Sequence, residues 1–185
     1  MEHHSTSDIA GKPVAGRQPR VGFTRTGLKM AGFEGFRSVR ELLDPHQRRE
    51  IPELPGVYIV LYVGDGPPEF LETSTGGWFN GRDPTFEIGD LDARWVNRAR
   101  VVYIGMTSEG RRARLRTRIR ALVRYGTGHN IGHAGGRALW QLPASDDLLV
   151  CWRPTEDGAE AASEERRLLN AFRGQHGRLP FANAI

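Results

Sequence analysis

The chain has 185 residues, 38% of them hydrophobic and 26% charged, with a formal net charge of +4. That is the length of one domain with one core, and the composition is neither collagen-like nor that of a disordered polymer. One cysteine, Cys151, excludes an internal disulfide and a cysteine-rich metal site. No stretch reaches the roughly 18 apolar residues of a membrane helix, and the first residues lack an apolar segment of signal-peptide length. The expected setting is therefore cytoplasmic, meaning soluble and intracellular, with no membrane partner. Glycine (23) and proline (11) are abundant and predict many turns. Of the 26 basic residues 24 are arginine, and seven of these fall between Arg111 and Arg124. Such clustering makes a local positive field suited to phosphate.

Residues 1–20 are polar and aperiodic and are expected to form a loose tail ahead of a single domain over 21–185. Residues 36–44, FRSVRELLD, predict a short helix, with Ser38 and Glu41 at capping-box spacing. Pro52 and Pro55 break the chain before GVYIVLYV, Gly56 to Val63. This strand is apolar on both faces and belongs in the middle of a sheet. Its parity sets Tyr58, Val60 and Tyr62 on one face and Val57, Ile59 and Leu61 on the other. Residues 64–98 read as an insertion, with a hairpin expected around FLETSTGGWF. A second strand, Arg100 to Gly105, runs into a Thr/Ser/Gly turn and an arginine-rich helix from about Arg112 to Tyr125. After a glycine- and histidine-rich loop, ALWQL and DDLLVCWRP are expected strand pieces, and a last helix spans about Ala159 to Arg173.

Helical phase separates the charged residues of the two long helices. At about 100° per residue, Leu168, Leu169 and Phe172 all lie within about 60° of Glu165, with Ala161 and Ala162 completing the stripe. Glu165 is thus in the middle of an apolar face, while Glu164, Arg166 and Arg167 fall at or beyond its edges. A carboxylate turned inward has to be neutralised by a proton, a cation or strong donors. Both a salt bridge to an arginine at the core edge and a metal site meet that need. In the basic helix Leu115, Ile119, Leu122 and Val123 form the buried stripe, and Arg120 and Arg124 point away from it. Arg111, Arg114 and Arg118 line one shoulder, where a side chain is aimed toward a cleft.

Taken in order, these residues resemble the GIY-YIG nuclease family. The naming motif stands as Gly56-Val57-Tyr58 and Tyr103-Ile104-Gly105, and a helical arginine follows. The closing signature stands as Glu165, Leu168, Leu169, Pro180 and Asn183. The likeness spans residues 56–183. Each half-motif is weakly specific, but the five elements in order are much more so. The resemblance implies an α/β (α+β) domain with a small, mostly antiparallel sheet flanked by helices, and an insertion of about 64–98 between the motif strands. It departs from the usual pattern in three ways. Tyr58 and Tyr103 lie 45 positions apart. The turn before the arginine is long, so that Arg118 is favoured and Arg114 competes. The histidine or tyrosine common one turn beyond is Leu122 here, its role lost or taken by His129 or His133.

The resemblance implies a metal-dependent endonuclease that hydrolyses DNA phosphodiester bonds. Tyr58, Tyr103, Arg118, Glu165 and Asn183 would form its site, with one Mg²⁺ or Mn²⁺ ion on Glu165. Tyr58 is favoured as the base that activates water, Tyr103 as its positioning partner, and Asn183 as a brace. Arg111, Arg112, Arg116, Arg120 and Arg124 are candidate contacts to nucleic-acid backbone. Thr107 and His133 are secondary phosphate contacts, although a turn threonine and a loop-packing histidine explain them as well. Two alternatives stay open: a DNA-binding module with a degenerate site, and a structure-specific nuclease acting on RNA or repair intermediates. Cutting both strands with one such site requires sequential attack or two copies, which makes a homodimer compatible with this reading.

Overall fold

The computed structural model describes residues 22–108, 114–132 and 135–183. The tail expected over residues 1–20 and the candidate residues Arg111, Arg112 and His133 lie outside these ranges. In chain order the elements are α1 (Arg25–Met30), β1 (Glu34–Ser38), α2 (Val39–Leu43), β2 (Gly56–Leu61), α3 (Ile88–Arg94), β3 (Val101–Met106), α4 (Leu115–Gly126), β4 (Leu149–Pro154) and α5 (Gly158–His176), linked by loops and short 3-10 turns. The strands form one small sheet in the order β1-β4-β2-β3, every neighbouring pair antiparallel, with helices packed against it. This is an α+β architecture.

Strand β2 is buried at every residue, as its unbroken apolar run requires. One face carries Tyr58 and Val60 against residues of α2, α4 and the 3-10 turn Arg137–Gln141. The other carries Val57, Ile59 and Leu61 against Leu28 of α1 and Leu168 and Phe172 of α5. The predicted parity of β2 and its pairing with β3 are both observed.

Three local expectations need correction, and one helix is additional to them. The capping box at Ser38 is present: the Ser38 hydroxyl accepts from the Glu41 N–H at 3.1 Å, and the Glu41 carboxylate accepts from the Ser38 N–H at 2.7 Å. The helix it starts is only Val39–Leu43, because residues 34–38 pair with β4 as an edge strand instead. That strand bulges at Gly35 (φ 89°) and Phe36 (φ 55°). A Cβ on residue 35 would lie 2.3 Å from the Trp152 ring, so the bulge admits the indole. Secondly, the insertion forms no hairpin of strands. Phe79 and Arg82 make an isolated bridge, and Ile88–Arg94 is a helix. Thirdly, ALWQL is a 3-10 turn whose Ala138, Leu139, Trp140 and Gln141 are all buried. A short apolar run enclosed on all sides carries no periodicity that distinguishes strand from helix. Finally, α1 was not expected; Thr24 caps it by accepting from the Gly27 N–H at 3.1 Å.

The insertion is bound to the core by a buried polar clasp. Gln141 donates through Nε2 to the carbonyls of Leu71 (3.0 Å) and Phe86 (2.9 Å) and accepts from the Phe86 N–H at 2.6 Å. An aromatic group adds to it: Phe70 stacks on Phe181 at 5.4 Å, and Trp95 meets Tyr62, Phe70 and Phe181 edge-on. Among the described residues no helix is long and apolar enough to cross a membrane.

Gln141→Leu keeps similar volume but strands a donor and two acceptors. It should cost about 3 kcal/mol, read as a lowered urea midpoint, with faster proteolysis inside 64–98. A midpoint equal to that of the wild type would mean that the clasp is dispensable.

Candidate active site

The register of β2 and β3 places Tyr58 opposite Gly105 and Val60 opposite Tyr103, so the two tyrosines are diagonal neighbours on one face. Their ring centroids are 5.9 Å apart and their planes are tilted by 52°. Gly105 is what lets them meet. A Cβ there would stand 2.7 Å from Tyr103 Cε1 and equally close to Tyr58 Cζ and Oη. On the far side Gly135 plays the same part, since its Cβ would lie 2.3 Å from the Tyr103 hydroxyl.

Asn183 holds β3 from its outer side. Its Nδ2 donates to the Ile104 carbonyl at 2.7 Å, and its Oδ1 accepts from the Ile104 N–H at 2.8 Å. One side-chain amide thus satisfies both outward backbone groups of the residue between Tyr103 and Gly105. Asn183 lies in the 3-10 turn Phe181–Asn183, whose Phe181 is gripped by Phe70 and Trp95 of the insertion. The contact of Asn183 is with the backbone of Ile104.

Arg118 comes from the shoulder of α4, whose Leu115, Ile119, Leu122 and Val123 are buried as expected. Its guanidinium lies against Tyr58 and acts on Tyr103 and Glu165. Its Nε is buried with no hydrogen-bond acceptor among the described residues. Arg114 occupies the N-cap position of the same helix.

Helix α5 starts at Asp157, which accepts from the Glu160 N–H at 2.8 Å, and ends at Gly177 with φ 76°. It packs against the opposite face of the sheet, of which β3 is an edge strand, and the Glu165 charge raises the Tyr103 phenol. Glu165 is half-buried and makes no ion pair or hydrogen bond among the described residues. Burial pushes its carboxyl up, against the opposing charges of Arg118 and Arg166. The two tyrosines differ in kind. Tyr58 is wholly enclosed, and burial drives its phenol well above the ordinary value, with Tyr103 adding to the rise. Burial also raises Tyr103, but its hydrogen bond with Tyr58 and the Arg118 charge work the other way. Tyr58 is thus the more enclosed of the two phenols.

Glu164 behaves unlike the edge residue its helical phase predicts. Its side chain is only 12% exposed and pairs with Arg167 at 2.6 Å and with Arg153. The two arginines hold its carboxyl below the usual range despite the opposing effect of burial. Thr107 is buried, and its hydroxyl accepts from the Gly56 N–H at 3.2 Å, which is the turn role. Arg116 donates to the carbonyls of Ile51 and Arg49, both at 2.9 Å, and to Glu53, so it fastens the segment before β2. Arg120 is exposed, Arg124 is half-buried, and both repel Arg48 on the outer side of α4. His129 contacts Thr127 and the Arg124 carbonyl at the end of α4. Among the described residues no group of three or more His, Cys, Asp or Glu side chains is placed to hold a metal ion. Sequence reasoning missed Gly135 and Gln141. Both sit beside the glycine-rich loop, and only the packing distinguishes them from ordinary loop residues.

Two outcomes follow. Gly105→Ala should destabilise the fold by about 1–3 kcal/mol and perturb the tyrosine absorbance; an unshifted melt with an unchanged spectrum would contradict the packing. For Glu165 the folded-state value is raised, so the protonated side chain favours folding. That stability is fully present below the ordinary carboxylate value of 4.5 and is lost as pH rises through the elevated value. In metal-free buffer Glu165→Gln should therefore be the more stable protein at pH 7, by about 1 kcal/mol. The advantage should vanish below pH 4.5, as read from melts across pH.

Compared with family models, with curated proteins and with solved structures, the chain gives no match.

Proposed function

We propose that the chain is a metal-dependent endonuclease of the GIY-YIG type, hydrolysing phosphodiester bonds in DNA. One observation carries the reading: Tyr58, Tyr103, Arg118 and Glu165 come from four different elements and act on one another in a single cluster. Within it a carboxylate and a guanidinium Nε lack protein partners among the described residues. A cluster built only for stability pairs such groups with each other, as Glu164 is paired with Arg153 and Arg167.

The donor set suits a hard divalent ion such as Mg²⁺ or Mn²⁺, with Glu165 as the protein ligand and water and phosphate oxygens supplying the rest. Such an ion supplies Lewis acidity at the phosphoryl and leaving oxygens. Arg118 directs its fork of N–H donors at the non-bridging oxygens, where negative charge accumulates during transfer. Tyr103, ionised to its phenolate, takes the proton of the attacking water and becomes the neutral phenol, and the Tyr58 hydroxyl donates to that phenolate before the transfer. A phenol is a weak base near neutral pH, so the nearby Arg118 charge is a requirement of this step. Asn183 keeps Tyr103 in place through the Ile104 backbone.

A nucleic-acid-binding module with a silent site is the second reading, favoured by the enclosure of both tyrosines. Glu165→Gln separates the two. It should abolish Mg²⁺-dependent cleavage of plasmid, branched and single-stranded DNA while keeping a melt no lower than that of the wild type and an unchanged DNA affinity. Exposed Glu72→Gln serves as the control. Glu164→Gln is unsuitable, because it leaves two arginines partly unpaired. Cleavage by E165Q at the wild-type rate would remove the metal-ligand role. No cleavage by the wild type with any divalent ion, on DNA or RNA, would favour the binding module. Tyr103→Phe should lower the rate at saturating DNA about 10²–10⁴-fold, and more than Tyr58→Phe does.

The outward arginines serve affinity. Replacing Arg120 and Arg124 with Ala should weaken binding to every DNA sequence and reduce the salt dependence of log K by about 1.8. Unchanged binding across a salt titration, with a lost cleavage rate at saturation, would place them in the site instead.

A further inference from the structure

Phe86 of the insertion is held rigidly, its backbone N–H and carbonyl both bonded to the side chain of buried Gln141. Two arginines converge on its ring. The guanidinium carbon of Arg94, at the end of α3, lies 4.8 Å from the ring centroid. That of Arg137, at the start of the 3-10 turn after Gly136, lies 4.7 Å away. The two cations are thus no farther apart than the sum of those distances.

Neither cation is matched by an ion pair among the described residues. Arg94 Nη1 and Arg137 Nε are buried with no hydrogen-bond acceptor there. The acid that acts on Arg137 is Asp83, which is solvent-exposed and whose Oδ1 accepts from the Thr85 N–H at 2.8 Å. Tyr125, also within reach of Arg137, is neutral at ordinary pH, and burial raises its phenol further. The face of Phe86 screens the two charges in part. It does not satisfy buried N–H donors, and leaving such donors unpaired is costly. An anion with several oxygens at the exposed edges of the two guanidiniums offsets their charge, because guanidinium forks match phosphate oxygens. Both arginines are half-buried, so a ligand reaches their outer edges.

Position ties this pair to the candidate active site. A Cβ at Gly135 would lie 2.3 Å from the Tyr103 hydroxyl and one at Gly136 3.6 Å from the Tyr103 ring. Arg137 is the next residue, its Cα about 3.8 Å beyond that of Gly136. We propose that Arg94 and Arg137, set on Phe86, form a second phosphate-binding site, which holds a backbone phosphate of the nucleic acid beside the one presented to Arg118. The nucleic-acid source of the phosphate rests on the nuclease reading; the anion site itself does not. One half of the site comes from the insertion and the other from the loop after α4, which gives residues 64–98 a function in substrate binding.

The test uses the full wild-type chain labelled with ¹⁵N, with inorganic pyrophosphate as probe at low salt. The Arg94 and Arg137 side-chain Nε–H resonances, assigned with Arg94→Gln and Arg137→Gln, should shift on titration. The shifts should persist in Arg118→Gln. Resonances that stay still to millimolar pyrophosphate would overturn the site, whether or not the protein cleaves DNA. Shifts in a protein that cleaves nothing would keep the site and remove the nuclease reading. A short DNA duplex then distinguishes the source. If it is nucleic acid, the R94Q/R137Q double variant should reduce the salt slope of log K by up to about 1.8. A slope equal to wild type in a double variant with an unchanged melt would assign the site to a free phosphate-containing anion instead.

Discussion

The volume left open at Gly105 governs the centre of this molecule. Two tyrosine rings from neighbouring strands occupy the space a side chain would take, and they bring their hydroxyls together beneath Arg118. Gly135 leaves a second opening, above the Tyr103 hydroxyl. The strand that carries Tyr103 lies at the edge of the sheet, where backbone groups face outward and frayed geometry is cheap. Asn183 offsets that weakness at Ile104, between Tyr103 and Gly105. The Asn183 side chain thereby holds the backbone next to Tyr103, some eighty residues earlier in the chain.

Adjacent acids on α5 meet opposite fates for a geometric reason. Glu164 faces Arg153 of β4 and Arg167 one turn on, and the pair of guanidiniums compensates its burial. Glu165, about 100° round the helix, faces the tyrosine pair and Arg118 without a direct partner among the described residues. The first arrangement spends its charge on holding α5 to the sheet. The second leaves a half-buried carboxylate with no ion pair or hydrogen bond among the described residues, within the field of Arg118 and Arg166.

The insertion is a structural part of this centre. Through Gln141 it is tied to the turn after the glycine-rich loop, and through Phe70 and Trp95 it grips the turn that presents Asn183. Residues 64–98 therefore influence Tyr103 from two directions: by way of Asn183 and Ile104 on one side, and by way of the segment containing Gly135 and Gly136 on the other. Regular secondary structure is scarce in the insertion, and polar clasping with aromatic packing provides its order instead.

By itself the sequence determined what depends on local pattern. Alternation along GVYIVL assigned Tyr58 and Val57 to opposite faces, the 3.6-residue period placed Glu165 within an apolar stripe and Arg118 on a shoulder, and Ser38 with Glu41 announced a helix start. These features were legible because backbone geometry repeats over a few residues. The tertiary structure alone decided which partner each charged group meets. Glu164 and Glu165 were separable by phase, but the phase carried no information on where Arg153 would stand. Nor did it show that Tyr58 is the more enclosed phenol, that Arg116 is consumed by the carbonyls of Ile51 and Arg49, or that Gln141 turns inward onto Phe86. ALWQL and residues 34–38 were misassigned for a related reason: a short segment takes the conformation that its neighbours in space can pair or enclose. Burial, and with it the electrostatics of the candidate site, is a property of contacts between residues distant in sequence, and those exist only once the sheet has brought β2, β3, α4 and α5 together.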